Sequence, residues 1–247
     1  MDGDNELLIT KPTKQDTAME IVTPVSVISA VRNRTARLQA NLPTWLDDPG
    51  IDEIVVVDWG SDELIKVEWP RTRIVRVEAK EWNWEMALNL AAQVARGDVL
   101  LQLDVDYRIC RDFVATHVPY INNGKSFAAG YSGDARSENE RHLAGLLMVD
   151  RRDFEAVGGY NEGLRGYGYG DQDIVKRLRS MRLTRYGVDL DRVSHVPHGD
   201  EMRLNGETSC KESIKANNRR ARRQPWHAGC IKWCEVNIRL VSVEQLS

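Results

Sequence analysis

Short apolar runs alternate with helical patterns along the first half of the chain. Four runs rich in β-branched residues and leucine predict strands at residues 25–30, 51–57, 73–77 and 99–103. Two segments with apolar residues three and four positions apart, 34–46 and 83–95, predict helices between them. Asn83 is a suitable N-cap for the second of these helices. Strands separated by helices of this length are typical of βαβ units, so we expect an α/β fold with a mixed, mainly parallel sheet flanked by helices.

The pattern changes after residue 106. Strands are predicted at residues 126–131 and 144–149, and helices at residues 151–157 and 171–181, around a glycine-rich segment at residues 158–170. We expect a single main domain between an N-terminal tail and a basic C-terminal extension. The expected boundaries are residues 1–23 for the tail, 24–106 and 107–203 for the two halves of the domain, and 204–247 for the extension.

Composition excludes several classes of protein. The 247 residues include 34 Lys and Arg against 37 Asp and Glu, a formal charge of −3, which argues against a protein that coats nucleic acid over its whole surface. Apolar runs such as residues 146–149 are far shorter than the roughly 20 residues of a membrane span. The polar N-terminus does not resemble a secretory signal, and four scattered cysteines do not make a disulfide scaffold. We therefore expect a soluble, cytoplasmic protein.

Polar clusters follow three of the predicted strands: Arg32-Asn33-Arg34, Asp58-Trp59-Gly60-Ser61-Asp62 and Asp104-Val105-Asp106. Open α/β sheets bind ligands beyond the carboxyl ends of their strands. Asp104 and Asp106 are two positions apart and face the same way on an extended chain, where they repel each other unless a cation or hydrogen-bond donors relieve the repulsion. Oxygen ligands suit Mg²⁺ or Mn²⁺, which bridge to substrate phosphates. A pair of solvated loop acids is the alternative interpretation of so short a motif.

A second acidic pair, Asp171 and Asp173, opens a predicted helix directly after Gly166-Tyr167-Gly168-Tyr169-Gly170. The glycines permit close approach of the backbone to a ligand, and the tyrosine rings offer a platform on which sugars stack. A carboxylate beside such a platform is suited to accept a proton from a hydroxyl group. Stabilisation of the helix N-terminus by the two acids is the alternative.

Taken together and in this order, these motifs resemble the GT-A glycosyltransferases, specifically family 2-like enzymes with a galactosyltransferase-type C-terminal motif. The resemblance covers residues 25–198 and implies a GT-A, Rossmann-like fold. It rests on Asp58 at the end of the second strand, on Trp82-Asn83-Trp84 and Asn89 in the helix before the acidic motif, on Asp104-Val105-Asp106, and on Gly168-Tyr169-Gly170-Asp171-Gln172-Asp173-Ile174. Gly170 departs from the family pattern, which has a glutamate that helps to hold the acceptor.

The resemblance also implies roles for individual residues. Asp171 occupies the position of the catalytic base of inverting members. Nucleotide-sugar binding is expected from Arg32, Asn33, Arg34, Asp58, Asn89, Asp104, Val105, Asp106 and Arg203. Acceptor binding is expected from Tyr167, Gly168, Tyr169 and Asp173.

The same resemblance implies a metal site for Mn²⁺ or Mg²⁺. Asp106 is the expected ligand, and Asp104 contacts the ribose or the metal shell. The family often takes a further ligand from a histidine after the last helix, where this chain has His195 and His198. We expect His198 first and His195 second.

The predicted function is metal-dependent, inverting transfer of a sugar from a nucleoside diphosphate sugar, expected to be a UDP-sugar, to an acceptor hydroxyl on a glycan. Two alternatives stay open. One is a phage-type DNA base glycosyltransferase acting on hydroxymethylated pyrimidines, because the basic residues 211–223 and Trp226 suit a nucleic-acid backbone and an unstacked base. The other is a non-catalytic module that binds sugar nucleotides or glycans.

The C-terminal extension carries two further candidate sites. Its basic run at residues 211–223 suits DNA or lipid phosphate, or is simply a solvated helix face. Cys210, His227, Cys230 and Cys234 are candidate zinc ligands, although the last two cysteines are equally well explained as small buried residues.

Overall fold

The computed structural model describes residues 23–66, 68–121, 125–198 and 210–223. The strands are β1 (Val25–Val31), β2 (Glu53–Trp59), β3 (Thr72–Val77), β4 (Val99–Gln102), β5 (Tyr107–Ile109), β6 (Ser126–Ala129), β7 (Leu147–Asp150), β8 (Thr184–Gly187) and β9 (Val193–His195). The α-helices are α1 (Thr35–Leu46), α2 (Trp84–Val94), α3 (Phe113–Ile121), α4 (Arg151–Ala156), α5 (Gly170–Ser180) and α6 (Cys210–Arg223). A 3₁₀ helix spans Asn139–Gly145.

Seven of the strands form one sheet in the order β3-β2-β1-β4-β7-β6-β8. The neighbours β3-β2, β2-β1, β1-β4 and β6-β8 are parallel, whereas β7 is antiparallel to both β4 and β6. The predicted mixed, mainly parallel sheet is confirmed. Because β1 to β4 are parallel, their carboxyl ends meet at one edge, where the polar clusters of the sequence follow them.

Alternate residues of the central strands build two hydrophobic layers, one on each face of the sheet. On one face, Val27 of β1 belongs to the same buried cluster as Leu38 and Trp45 of α1. On the other face, Ile28 is buried together with Leu88 of α2. Successive side chains of a strand point to opposite faces of the sheet, so the neighbours Val27 and Ile28 pack on the α1 side and the α2 side respectively.

Helix α2 begins as its sequence predicts. The Asn83 side chain accepts a hydrogen bond from the Met86 amide at 2.8 Å and caps the helix. In α1, Pro43 lies inside the helix, three residues before its end at Leu46, and lacks the backbone donor that would bond to the Gln39 carbonyl oxygen.

The second half of the chain departs from the predicted elements in detail. The segment expected as a strand at residues 144–149 begins inside the 3₁₀ helix, and its strand starts only at Leu147. The short strands β5 and β9 form a separate antiparallel pair that the hydrophobic pattern did not predict, because three residues are too few to show a period. Within the described residues, no helix has the length and apolar character needed to cross a membrane.

Candidate active site

A cleft lies at the carboxyl edge of the sheet. Its lining comes from the ends of β1 and β4, from the start of α2, from the 3₁₀ helix and from the glycine-rich segment before α5. Ile214 of α6 and both His195 and His198 complete it. The cleft therefore collects residues that are far apart in the sequence, from both halves of the domain.

Asp104 and Asp106 both line the cleft, but they have different partners. Asp104 Oδ1 accepts hydrogen bonds from the Gln102 side chain at 2.8 Å and from Trp84 Nε1 at 3.2 Å. Burial, followed by the charge of Asp106, raises the pKa of the Asp104 carboxyl. Asp104 and Asp106 thus repel each other within the cleft, and a bound cation would offset that repulsion.

Asp106 is only 3% exposed and lies between two arginines. Arg34 Nη1 is 3.0 Å from Oδ2, and Arg37 Nη1 is 2.8 Å from Oδ1. Arg34 is one of the predicted donor-binding residues, whereas the sequence interpretation missed Arg37. The sequence did hold a signal for Arg37. Arg37 follows Arg34 by three positions at the start of α1, and side chains three positions apart share a helix face.

Three groups suited to bind a metal ion meet at Asp106. Candidate ligand atoms of Asp106, His195 and His198 all lie within 4.8 Å of one another, and His198 Nε2 is 3.3 Å from Asp106 Oδ2. The β5-β9 pair creates this meeting, since its register sets His195 opposite Tyr107. The Asn139 side chain holds His195 Nδ1 at 2.8 Å. One carboxylate and two imidazoles fit a divalent transition-metal ion such as Mn²⁺, and Asp104 lies outside this group of three.

Arg32 and Asn33, the remaining predicted residues at the end of β1, form hydrogen bonds with the segments that follow β2 and β3. Asn33, with a φ of 55°, exchanges side-chain and backbone hydrogen bonds with Asp62, and its amide donates to Ser61 Oγ at 2.9 Å. Arg32 donates a hydrogen bond to the Lys80 carbonyl oxygen. Both Arg32 and Val105 line the cleft.

Asp58 and Asn89 are placed beside the cleft but do not line it. Asp58 is buried and forms an ion pair with Arg76 at 2.6 Å. Asn89 is buried too, and its side-chain amide spans the backbone of Tyr160, donating to the carbonyl oxygen at 2.9 Å and accepting from the amide at 2.7 Å.

Asp171 lines the same cleft as the metal-binding group and lies at the start of α5. Burial, followed by the charge of Asp104, raises the pKa of its carboxyl to about 6. Asp173 points elsewhere, because it is paired with Arg177 at 2.9 Å in a buried ion pair within the helix. Only the first acid of the pair therefore faces the cleft, which is the arrangement expected of a general base.

The two tyrosines of the glycine-rich segment play different parts. Tyr167 lines the cleft and is half-buried. Tyr169 is 4% exposed, adopts a φ of 82°, and its hydroxyl accepts a hydrogen bond from Lys176 at 2.7 Å. A left-handed conformation of a non-glycine residue is strained by about 1–3 kcal/mol and is found mostly at functional sites. The segment is a turn in which Tyr167, Gly168 and Tyr169 all line the cleft.

Glu85 is a cleft residue that the sequence interpretation missed. It lies in the first turn of α2, is 4% exposed, and burial followed by the charges of Asp171 and Asp173 raises the pKa of its carboxyl to about 8. A Cβ atom on Gly170 would lie 2.5 Å from Glu85 Oε1, so a larger residue at position 170 would displace the Glu85 carboxyl. An acidic residue in a first helical turn is commonplace, so the sequence held no signal for this role.

Because the pKa of Glu85 is raised, we expect the free energy of unfolding to depend on pH, and the substitution Glu85→Gln should remove this dependence. The folded protein keeps the proton up to a pH of about 8, whereas an unfolded glutamate releases it near 4.5, so stability falls as the pH rises from 4.5 to 8. Urea unfolding of Glu85→Gln should show a shallower decline, with a gain of roughly 1–4 kcal/mol over the unsubstituted protein at pH 8 and little difference near pH 4.5. Parallel declines for the two proteins would contradict this burial effect.

Some predicted residues lie outside the described part of the chain: Arg203, Trp226, His227, Cys230 and Cys234. The basic segment at residues 211–223 falls in α6, and Cys210 begins that helix. Its basic side chains are exposed, namely Lys211, Lys215, Arg219, Arg220, Arg222 and Arg223.

Comparison with known proteins agrees with this geometry. The family described as the N-terminal domain of galactosyltransferase matches residues 125–199. No curated protein sequence is significantly similar to the chain.

Several solved structures are similar to this one. The catalytic domain of Drosophila beta1,4galactosyltransferase 7, in complex with xylobiose, is 17% identical, with a TM-score of 0.56 over 83% of both chains. The mannosyltransferase PcManGT from Pyrobaculum calidifontis, with GDP-Man and Mn²⁺, is 18% identical, with a TM-score of 0.57 over 72% of this chain and 58% of that one. GalNAc-T7, with UDP, GalNAc and Mn²⁺, is 18% identical, with a TM-score of 0.60 over 79% of this chain and 48% of that one. The chain thus spans about half the length of the last two. These likenesses confirm the GT-A fold that the sequence motifs predicted.

Proposed function

We propose that this GT-A protein is a metal-dependent, inverting glycosyltransferase that uses a nucleoside diphosphate sugar, with a UDP-sugar as the first candidate. One observation carries the proposal. A single cleft is lined both by the group Asp106, His195 and His198 and by the partly buried Asp171, whose pKa is raised to about 6. The galactosyltransferase match over residues 125–199 and the Mn²⁺ and nucleotide-sugar complexes of similar structures support it.

The donor side of the cleft is suited to a diphosphate. Asp106, His195 and His198 would hold a divalent cation, which supplies charge stabilisation for the departing diphosphate when bound. Arg34 lines the cleft next to Asp106 and adds a fixed positive charge on the same side. Asp104, held by Trp84 and Gln102, keeps one carboxylate oriented towards the donor's hydroxyl groups.

The acceptor side is formed by Asp171 and the turn that carries Tyr167. The acceptor hydroxyl gives its proton to the Asp171 carboxylate while its oxygen forms a bond to the anomeric carbon of the donor. The bond from that carbon to the diphosphate oxygen breaks, and the electron pair leaves with the diphosphate. A single displacement inverts the configuration of the anomeric carbon. Tyr167 offers a ring face on which the acceptor stacks.

A donor screen tests this function directly. UDP-galactose, UDP-glucose, UDP-N-acetylhexosamines and GDP-mannose would each be added with Mn²⁺, and the melting temperature of the protein measured. A donor present at about 100 times its Kd stabilises the fold by about 2.7 kcal/mol. Slow, Mn²⁺-dependent release of the nucleoside diphosphate then separates an enzyme from a non-catalytic binding module. Absence of both effects for every donor would contradict the proposal.

Transfer should depend on pH through Asp171. Because the base acts only when it is ionised, kcat should rise as the pH increases through about 6 and level off above it. The rate of nucleoside diphosphate release with saturating donor and Mn²⁺, measured from pH 5 to pH 8, checks this. A rate that is flat across that range would assign proton transfer to another group.

A further inference from the structure

Helix α6 packs against the turn that leads into α5. Its residue Asn217 is fully buried, which is unusual for an amide in a helix whose other polar side chains are largely exposed. The Asn217 side chain accepts a hydrogen bond from the Arg165 amide at 3.0 Å and donates one to the Gly168 carbonyl oxygen at 2.9 Å. It therefore bridges both ends of a four-residue stretch of backbone.

Two further contacts of α6 reach the same stretch. Ser213 Oγ accepts a hydrogen bond from the Tyr167 amide at 2.8 Å. Gly168, with a φ of 82°, packs so closely that a Cβ atom there would lie 2.6 Å from Cγ1 of Ile214. Ser213, Ile214 and Asn217 lie one helical turn apart or less, on one face of α6. The helix thus satisfies backbone groups that a free turn would leave to water.

The same helix also supplies a part of the cleft. Ile214 lines it together with Tyr167, Gly168 and Asp171. The metal-binding group is held by other elements, since His195 belongs to β9 and Asp106 precedes β5. The contacts of α6 are therefore with one wall of the cleft, the wall that carries Asp171.

We propose that α6 sets the acceptor wall of the cleft, with Asn217 as the positioning residue that fixes the backbone of residues 165–168 and, through it, Asp171. The residue itself touches neither donor nor acceptor. The catalytic part of this proposal rests on the glycosyltransferase function, whereas the ordering of the turn by Asn217 does not.

Hydrogen exchange on the full chain tests the ordering. In Asn217→Ala, amides of residues 165–170 should exchange about tenfold faster or more, while amides of β1 and β4 keep their rates. Asn217→Asp keeps the oxygen that accepts from Arg165 but loses the donor to Gly168, so the Arg165 amide should stay protected in that variant. Lys215→Ala, at an exposed position of the same helix, is the matched control and should exchange like the unsubstituted protein. Unchanged exchange at residues 165–170, or a rise of equal size throughout the chain, would overturn the proposal.

Enzyme kinetics test the catalytic part. With the donor identified by the melting screen, Asn217→Ala should lower kcat for metal-dependent release of the nucleoside diphosphate about tenfold while leaving the donor KM within about twofold. If Asn217 had only a structural role, the substitution would change kcat and the donor KM together, or would change neither. If the unsubstituted protein releases no nucleotide, the glycosyltransferase function fails, and the exchange result still decides whether Asn217 orders the turn.

Discussion

Replacement of Asp106 by alanine is expected to remove Mn²⁺-dependent donor binding. The carboxylate is the one anionic member of the group formed with His195 and His198, so its loss leaves two neutral ligands beside two arginines. We expect donor affinity in the presence of Mn²⁺ to fall about 100-fold or more, a difference of about 2.7 kcal/mol. Isothermal titration calorimetry with and without Mn²⁺ measures this change.

Folding effects must be separated from the loss of the site. Removing Asp106 leaves Arg34 and Arg37 without that partner, which costs stability of about 1–3 kcal/mol. Titrations are therefore made well below the melting temperature, and Asp106→Asn, which keeps a side chain of the same size, is measured alongside. Asp112→Ala is a matched control, because its pairing with Arg192 is exposed and of little energetic value. Equal Mn²⁺-dependent affinity in the Asp106 variants and the control would place the metal elsewhere.

Replacement of Asp171 by asparagine should abolish sugar transfer and leave donor binding nearly intact. Asparagine has the shape of the carboxylate but cannot take the proton of the acceptor hydroxyl. General-base catalysis contributes about 10²- to 10⁴-fold, so kcat should fall by that factor with a donor KM close to that of the unsubstituted protein. The change also removes a buried charge with a raised pKa, so the fold should be at least as stable at pH 8.

Asp98→Asn makes the same chemical change at an exposed position and should retain full activity. Full activity in Asp171→Asn would refute the assignment of the base. A loss of donor binding equal to the loss of turnover would instead make Asp171 a donor-binding residue.

The mainly parallel sheet and the position of its ligand-binding edge could be predicted because both depend on local patterns. Short runs of β-branched and other apolar residues mark β1, β2 and β4, and helical spacing marks α2. The acidic motif at residues 104–106 follows β4 directly, so its place at the carboxyl edge follows from a parallel sheet.

The short elements of the second half could not be predicted in this way. Strands β5 and β9 have three residues each and pair across more than 80 positions of sequence. The pairing of these strands places His195 close to Asp106. Neither strand has a local sequence pattern from which this pairing could be predicted. The His-x-x-His spacing of His195 and His198 indicated candidate ligands, but the reason they reach the same carboxylate is the register of that pair.

The partners of individual side chains were likewise decided by distant contacts. The sequence proposes both Asp171 and Asp173 as residues of the site, yet Asp173 is paired with Arg177 one helical turn away and only Asp171 of the two lines the cleft. Glu85 looks like an ordinary residue of a first helical turn until the packing of Gly170 against it buries its carboxyl.

The sequence by itself determined the α/β fold class, the resemblance to the GT-A glycosyltransferases, the edge of the sheet at which the site lies and the residue types available there. These follow from periodicity, from strand–helix alternation and from motifs within a few residues of one another. Only the tertiary structure decided which acids face the cleft, that Arg37 pairs with Asp106, and that α6 holds the turn before α5. Those choices depend on burial and on hydrogen bonds between segments far apart in the chain, and no local pattern encodes such contacts.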